Sequence, residues 1–477
     1  MKRSGFMKFK MPSAYSILIA IIIVVAILTY VVPAGEYDLN EEEAPIPGTY
    51  ESVDSTPQGP AAVMMAPIQG FYDAKDVALF ILVIGGFLGV VMKTGAIDAG
   101  IAKVVETFKG RENWMIIILM ALFAVGGSTY GMAEETIAFY PLIIPVFIAA
   151  GYDAVTAVSV ILLGAGLGVL GSTVNPFATG IASGFAEVAL GRGIGIRLLI
   201  LVAGEIIGIL YTIRYAKKVK EDPSKSLVAN MREENKEHFL GKQDTDSFPE
   251  LNGKRILILV LFALTFVVMI YGVLPLEDFG VEAIPTLWWW FPELTALFLV
   301  ASIIIGVIHA IGDDEFGEEE FVGSFVNGAR DLLGVALIVG VSRGITVVMN
   351  AGNITATVLH AGETTLSQAG RIPFIVLTYL FYIPLSFLIP STSGLATVSM
   401  PIMAPLGDFA NVSRGLVITA YQSASGIVNL VTPTSAVVMG GLAIARVPYG
   451  TWIKYVWKLL VLVFIMTIAA LVIGLYF

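Results

Sequence analysis

Apolar runs long enough to cross a bilayer recur along almost the whole chain, beginning at residues 17–32. A helix needs about 20 such residues to span the hydrocarbon core. In lipid every backbone N–H and C=O must be satisfied by the protein itself, so only helices and closed barrels cross. These runs lack the alternation of barrel strands, so they select helices. Composition agrees: 56% of the 477 residues are hydrophobic and 14% charged, where a soluble domain carries roughly 25% charged residues. The expected fold class is an all-α polytopic membrane protein. The chain has no cysteine, which excludes disulfides, thiolate catalysis and thiolate metal sites. The net charge of −10 is no argument for nucleic acid, because the charges fall in loops on two sides of a membrane. The first run is too long for a signal-peptide core and reads as an uncleaved first span.

Taken in order, the spans fall at about 14–33, 76–94, 194–213, 256–274, 293–311 and 332–349, with a last one ending near the C-terminus. An acidic segment, 34–73, follows the first span, and a basic loop with Lys103, Lys109 and Arg111 follows the second. Two stretches do not read as simple spans. The first, 126–184, holds GGSTYGMAEET at one end and GSTVNPFATG near the other. Irregular backbone at membrane depth survives only where it is buried in protein or lines a wet cavity. We therefore expect a re-entrant hairpin at 113–150 and a span over 154–190 broken at Asn175-Pro176. Residues 214–255 form a cytoplasmic linker. Trp288, Trp289 and Trp290 suit an interfacial aromatic belt.

Five short matches tie the second half to the first, all between 255 and 263 positions apart. Ala74-Lys75-Asp76 answers to Ala329-Arg330-Asp331, and the stretch from Val90 to that from Val347. Ser128-Thr129 answers to Ser391-Thr392, Pro141 to Pro401, and Asn175-Pro176 to Thr432-Pro433. The extra span at 256–274 lies between the halves and reverses the entry of the second. The reading is an inverted-topology repeat: 1–213 and 291–477, with a second hairpin at 372–409 and a second broken helix at 413–445. In all there are about nine transmembrane spans, two of them broken, plus two re-entrant hairpins. Interrupted segments at corresponding places point to a secondary transporter with its site at the bilayer midplane.

Lys and Arg set the orientation. They crowd the N-terminal segment (Lys2, Arg3, Lys8, Lys10), the 93–111 loop, the linker and the stretch before the last span. Only Lys75, Arg192, Arg197, Arg371 and Arg414 fall on the other side. This bias puts the N-terminus in the cytoplasm and the C-terminus outside the inner membrane.

Helix ends at a break leave N–H and C=O groups without partners. The N-terminal ends attract anions, and exposed carbonyls with hydroxyls suit small cations. Ser128, Thr129, Ser172, Thr173, Asn175, Ser391, Thr392, Ser393, Thr432 and Thr434 fall at such ends. As candidate ion ligands we take Ser128, Ser172, Thr173, Asn175, Ser393 and Thr434. The same residue types also permit close helix packing. Glu134 and Glu135 follow the first tip. A carboxylate there costs ~3 kcal/mol or more and marks a pathway or a pair, although acids also suit a helix N-terminus. Arg343, in an apolar span, could grip a substrate carboxylate or be tied to Glu205 or a helix-end carbonyl. His238, His309 and His360 are scattered and form no metal set. No Walker A or dinucleotide glycine motif is present, so no ATP-driven pump and no cofactor are expected.

The stretches MPSAYSILIAIIIVVAILTYVVPAGEYD, VVMKTGAIDAGI, GMAEET and GSTVNPF together resemble the YfcC-like and arginine/ornithine antiporter-like carriers. These are relatives of the anaerobic four-carbon dicarboxylate carriers in the ion-transporter superfamily. The resemblance covers essentially the whole chain. It implies a homodimer with scaffold and transport parts, elevator-type movement, and solute and often sodium bound at tips and breaks. Carried over, it touches Ser128, Thr129, Glu134, Glu135, Ser172, Thr173, Asn175 and Pro176, with Ser391, Thr392 and Thr432 by the repeat. Where the family has Ser before the two acids, this chain has Ala133.

The substrate-binding candidates are thus Ser128, Thr129, Glu134, Glu135, Asn175, Arg343, Ser391, Thr392 and Thr432. The expected function is secondary transport, not enzymatic catalysis. The solute is a small amino acid or carboxylate, with the acidic pair favouring exchange of a basic amino acid. The alternatives are a dicarboxylate carrier coupled to Na+ or H+ and, from another class, an ion channel or membrane scaffold. The expected partners are a small solute, the lipid bilayer and a second copy of the chain.

Overall fold

The structure is a computed structural model, described here for residues 14–40, 45–107, 111–129, 131–241, 250–273, 277, 283–287, 289, 291–311, 316–366 and 369–477. The N-terminal lysines and Arg3, Glu41 to Glu43, Lys109, Tyr130, Trp288, Trp290, Asp313 to Glu315 and linker residues 242–249 lie outside that set. So do the side chains of Glu135 and Pro176. Among the described residues the chain is almost entirely helical; the strands are one two-residue pair, Gly35–Glu36 with Glu51–Ser52. Among the described residues, six helices are long and apolar enough to cross a membrane.

After Gly59 the helices run Pro60–Asp73, Lys75–Lys93, Ala96–Thr107 and Glu112–Thr129. A 3-10 stretch, Glu134–Phe139, leads into Tyr140–Ala149. After Gly317 the same order returns: Glu318–Asp331, Leu333–Ala351, Ile354–Leu366, Arg371–Leu388, Thr392–Phe409. The first and second members of each set have equal lengths, 14 and 19 residues, and the fourth members both have 18. Each set closes on a broken helix and a long one. These are 154–170, interrupted by a π turn at Ser159–Leu163, with Pro176–Phe185 and Ile194–Glu221; and Arg414–Asn429 with Ala436–Ile444 and Tyr449–Gly474. Left-handed residues that stop helices recur too: Gly95 with Asn353, Gly151 with Asn411, Glu187 with Arg446. Glycine takes that backbone most easily, and Asn tolerates it among residues with a side chain.

Packing between the halves is reciprocal. Gly70 lies between Gly340 and Gly344, where a Cβ would stand 2.4 Å from the Gly340 carbonyl. Gly328 lies likewise between Gly85 and Gly89, its Cβ position 2.2 Å from the Gly85 carbonyl. In each case one glycine of a 14-residue helix sits against a pair spaced by four in the other half. Such backbone-to-backbone approach needs small residues, as membrane helices often provide. The two broken helices meet the same way. Gly166 faces Leu430, and Gly426 faces Leu170, each 260 positions from its counterpart.

Several expected loops are helices. Residues 60–73, read as the end of an acidic segment, form a helix because Pro60 sits at N1, where its missing N–H is no loss. Glu318 to Glu320, read as part of an acidic loop, form a first turn, where acids complement the dipole. The joints that follow fall at Ala74 and Leu332, so the Ala74/Ala329 match is displaced by three positions. Helices 96–107 and 354–366 were not expected. The latter carries His360, which stacks on Tyr50 at 4.1 Å between ring centroids and lies 3.2 Å from Glu363. Tyr37 donates to Glu363 at 2.9 Å, and the segment before Pro60 is thereby strapped to this helix. Burial, with the Glu363 carboxylate beside it, pushes the Tyr37 hydroxyl well above the usual phenol range. The linker continues the 194–221 helix and adds Arg232–Leu240.

The seams predict a stability effect. Gly70→Val and Gly328→Val should each cost about 1–3 kcal/mol through overpacking. The melting temperature of the purified protein in detergent should fall by several degrees. Gly191→Ala, at an exposed position with open space around it, should leave it unchanged. A melting temperature insensitive to both valines would show that the halves do not meet at these glycines.

Candidate solute site between two broken helices

The first break is Gly171 to Asn175. Asn175 caps the helix beyond it: its Oδ1 accepts from Phe177 N at 2.9 Å and Ala178 N at 3.2 Å, and its Nδ2 donates to Ser172 Oγ at 3.1 Å. The first tip, 131–133, presses on this cap. Gly131 has φ +78°, and a Cβ there would stand 2.5 Å from Asn175 Oδ1. Thr173 joins break and tip, its N–H donating to Ser128 O at 3.0 Å and its hydroxyl to the same carbonyl at 3.2 Å. The hydroxyls of Ser128 and Thr173 are 3.0 Å apart.

The second break has the same plan with other residues. Ser435 is the cap, 260 positions after Asn175, and accepts from Val438 N. Thr434 donates to Phe387 O at 3.0 Å, as Thr173 does to Ser128 O. The pairing of Asn175-Pro176 with Thr432-Pro433 is therefore displaced by three positions. The capping residue and the tip-binding threonine are the equivalent features, and the X-Pro dipeptide is not. At the second tip Ser391 is the N-cap of Thr392–Phe409, accepting from Gly394 N at 3.2 Å.

Carbonyls freed at the breaks are taken by side chains from neighbouring helices. Gln422 Nε2 donates to Ser172 O at 3.2 Å, and its Oε1 accepts from Thr179. Ser423 donates to Leu170 O. Trp452 and Tyr449 donate to Leu430 O and Val431 O at 2.9 and 2.8 Å. This answers the question that every broken helix poses.

Between the breaks lies a cavity of about 230 Å³. At ~30 Å³ per water, it has room for roughly eight waters. Its wall brings together Glu134, Asn175, Arg343, Ser391, Thr392, Ser393 and Thr434 from the sequence candidates. Arg343 and Glu134 reach it from different elements, helix 333–351 and the 3-10 stretch 134–139. Arg343 enters from the 333–351 helix, whose Gly340 and Gly344 let it lie against Gly70. Neither Arg343 nor Glu134 has an ion-pair or hydrogen-bond partner among the described residues, and they do not pair with each other. The expected Arg343–Glu205 pair is not formed. Glu205 is buried in the 194–221 helix, away from the cavity, with both carboxylate oxygens unpartnered.

Ser128, Thr129, Ser172, Thr173 and Thr432 do not line the cavity. Thr129 back-bonds to Val125 O at 2.7 Å, Ser172 to Val169 O at 2.6 Å, and Thr432 lies 2.7 Å from Thr434. These hydroxyls fasten the breaks. Glu135 belongs to the 3-10 stretch after the tip. Among the described residues no group of three or more His, Cys, Asp or Glu could hold a metal.

Four polar lining residues, Thr136, Ser342, Asn429 and Ser435, escaped the sequence reading. Asn429, one turn before the second break, has an unpartnered Oδ1. Ser342 precedes Arg343 and bonds to Val339 O at 2.8 Å. Asn429 could have been found as the polar member of a position that is Val169 in the first half. Ser342 carried no signal of its own.

The model of the C4-dicarboxylate anaerobic carrier family, DcuC, matches residues 11–476. A protein of Haemophilus influenzae named as uncharacterized is 34% identical over 493 residues, with 94% of each chain covered. The putative basic amino acid antiporter YfcC of Escherichia coli is 31% identical over 505 residues, which is 98% of this chain and 96% of that one. Among solved structures, the YdaH transporter of Alcanivorax borkumensis aligns at 13% identity and a TM-score of 0.46, covering 96% of this chain and 98% of that one. MtrF of Neisseria gonorrhoeae, from a class of antimetabolite efflux pumps, aligns at 16% and 0.45, covering 97% and 94%. The chain belongs to the DcuC family of C4-dicarboxylate anaerobic carriers and is a multi-pass membrane transporter.

Proposed function

We propose that this transporter exchanges small amino acids, with a basic amino acid as its preferred solute. The observation that carries the reading is that Glu134 and Arg343, opposite charges with no partner among the described residues, line one cavity. A guanidinium grips a carboxylate through two parallel hydrogen bonds, so Arg343 receives the solute carboxylate. Glu134 receives its cationic group, and the hydroxyls of Ser391, Thr392 and Ser393 with Asn175 and Asn429 complete the shell. The name of the relative YfcC supports this reading.

The cycle we propose is alternating access of the elevator type, in a homodimer of the inner membrane with its N-terminus in the cytoplasm. In it, 1–213 and 291–477 are inverted repeats. Their re-entrant tips gate the site from opposite faces, and the wall carrying Arg343 belongs to the scaffold. The recurrence of helix lengths, caps and reciprocal glycine contacts supports it. The second reading is a four-carbon dicarboxylate carrier coupled to Na+ or H+, favoured by the family description. There Arg343 holds one carboxylate and the N-terminus at Ser391 the other, but Glu134 must then be neutral.

Proteoliposomes preloaded with arginine, ornithine or succinate, with and without a sodium gradient, separate the two. Counterflow of the basic amino acids is expected, and uptake of succinate alone would sink the first reading. Glu134→Gln and Arg343→Gln each remove a charge-assisted bond of ~1.5–3 kcal/mol. The KM for arginine should rise by about 10- to 100-fold in each. Orientation is testable because the chain has no native thiol. Ala150→Cys should react only with a permeant reagent in intact cells, and Gly191→Cys with an impermeant one. The reverse pattern would overturn the topology.

A further inference from the structure

Glu205 is left over by the site. It is 8% exposed, lies in the apolar 194–221 helix, and neither carboxylate oxygen has a hydrogen-bond partner. The helix faces around it carry Leu167, Leu170, Met120 and Met466, seen from Gly204 and Gly208. One turn earlier on the same helix, Leu201 lies against Gly171 of the first break. An isolated carboxylate buried at membrane depth is costly; structural acids there are paired, and unpaired ones mark ion or proton pathways.

The elements packed on this helix offer Glu205 no counter-charge. Helix 449–474 carries Lys454, Tyr455 and Lys458. Helix 414–429 carries Arg414 and Tyr421, and Asp153 caps the 154–170 helix. Its own helix carries Arg197, Tyr211, Arg214 and Tyr215. None is within hydrogen-bond or ion-pair distance of it. Arg197, two turns earlier, donates through Nη2 to Leu190 O and Arg192 O at 2.6 Å each, and its Nε and Nη1 reach no acceptor, Glu205 included.

Buried hydroxyls are spaced from below Glu205 towards the linker side. Those of Thr212 and Tyr455 have no hydrogen-bond partner among the described residues, and the Tyr455 and Tyr215 rings are 4.9 Å apart. Tyr215 donates to Asp153 Oδ2 at 2.6 Å, as does Ser226 of the linker. Asp153 lines a second cavity of about 320 Å³ between the first broken helix and linker helix 232–240. Between Thr212 and Glu205, about 10 Å along the helix, Leu167 fills the notch at Gly208.

We propose that Glu205 is a proton-binding site that couples solute exchange to protons, reached from the linker side along Asp153, Tyr215, Tyr455 and Thr212. The carboxylate takes a proton from water to become a neutral acid, and returns it when the Leu167–Gly208 plug opens. The proposal rests on the carrier reading above.

Two measurements test it. Infrared difference spectra of the purified protein should show a protonated-carboxyl C=O band at neutral pH that is lost in Glu205→Gln and shifted in Glu205→Asp. Arginine counterflow in proteoliposomes should vary at least about ten-fold between mildly acidic and mildly alkaline pH. Glu205→Gln should flatten that profile to less than about two-fold, while Glu221→Gln, an exposed acid at the end of the same helix, should keep it. Absence of the band, or an unchanged profile in Glu205→Gln, overturns the proposal. Where the amide variant does not fold, Glu205→Asp supplies the band shift. If wild type shows no arginine counterflow, the solute reading fails, and the infrared band still decides the proton site.

Discussion

A helix interrupted inside a membrane must find protein partners for the backbone groups that the interruption frees, because lipid offers none. An unsatisfied buried polar group costs about 1–3 kcal/mol, so two breaks left open would consume most of a fold's net stability. The rest of the molecule is arranged around closing them. Asn175 and Ser435 cap the restarting helices. Thr173 and Thr434 dock each break on its tip. Gln422, Ser423, Trp452 and Tyr449 reach in from other helices for the remaining carbonyls.

This requirement also explains why some candidates are fasteners. Ser128, Ser172, Thr173 and Thr432 were expected to face a solute or an ion. A hydroxyl at a break is most useful where a carbonyl or N–H is already free, and these four are spent there. Residues that do face the cavity sit one step away from the free backbone ends: Glu134 after the tip, Asn429 a turn before the break, Arg343 on a separate helix. A sequence shows where a helix breaks but not which of its polar neighbours the closure uses.

What was legible followed from periodicity and from backbone demands. Spans, tips and breaks announce themselves by apolar length and by clusters of Gly, Ser, Thr and Pro. The short matches suggest a repeat, but the caps at the two breaks do not follow their register. Pro433 drew the eye to Thr432, while the structural counterpart of Asn175 is Ser435, a cap of different chemistry doing the same job. Helix 60–73 was missed because Pro60 and Pro67 read as breakers, although the first sits at N1. The Arg343–Glu205 pair was inferred from two lone charges in apolar spans. Such charges need an explanation each, and sequence alone cannot say that the two explanations are separate.

That separation is what gives the carrier its chemistry. Two-fold packing of the halves, seen in Gly166 with Leu430 and Gly426 with Leu170, would by itself make a site with matched ends, fit for a symmetric solute. The two halves nevertheless differ at the cavity wall. The second tip, from Pro390 to Ser399, holds no acid where the first holds Glu134, and it starts with a proper N-cap where the first starts with a 3-10 turn. Asn429 stands where the first half has Val169. Arg343 adds a positive charge from outside both breaks. The cavity wall thus carries one acid and one base of its own, Glu134 and Arg343, and neither has a counterpart at the corresponding place in the other half.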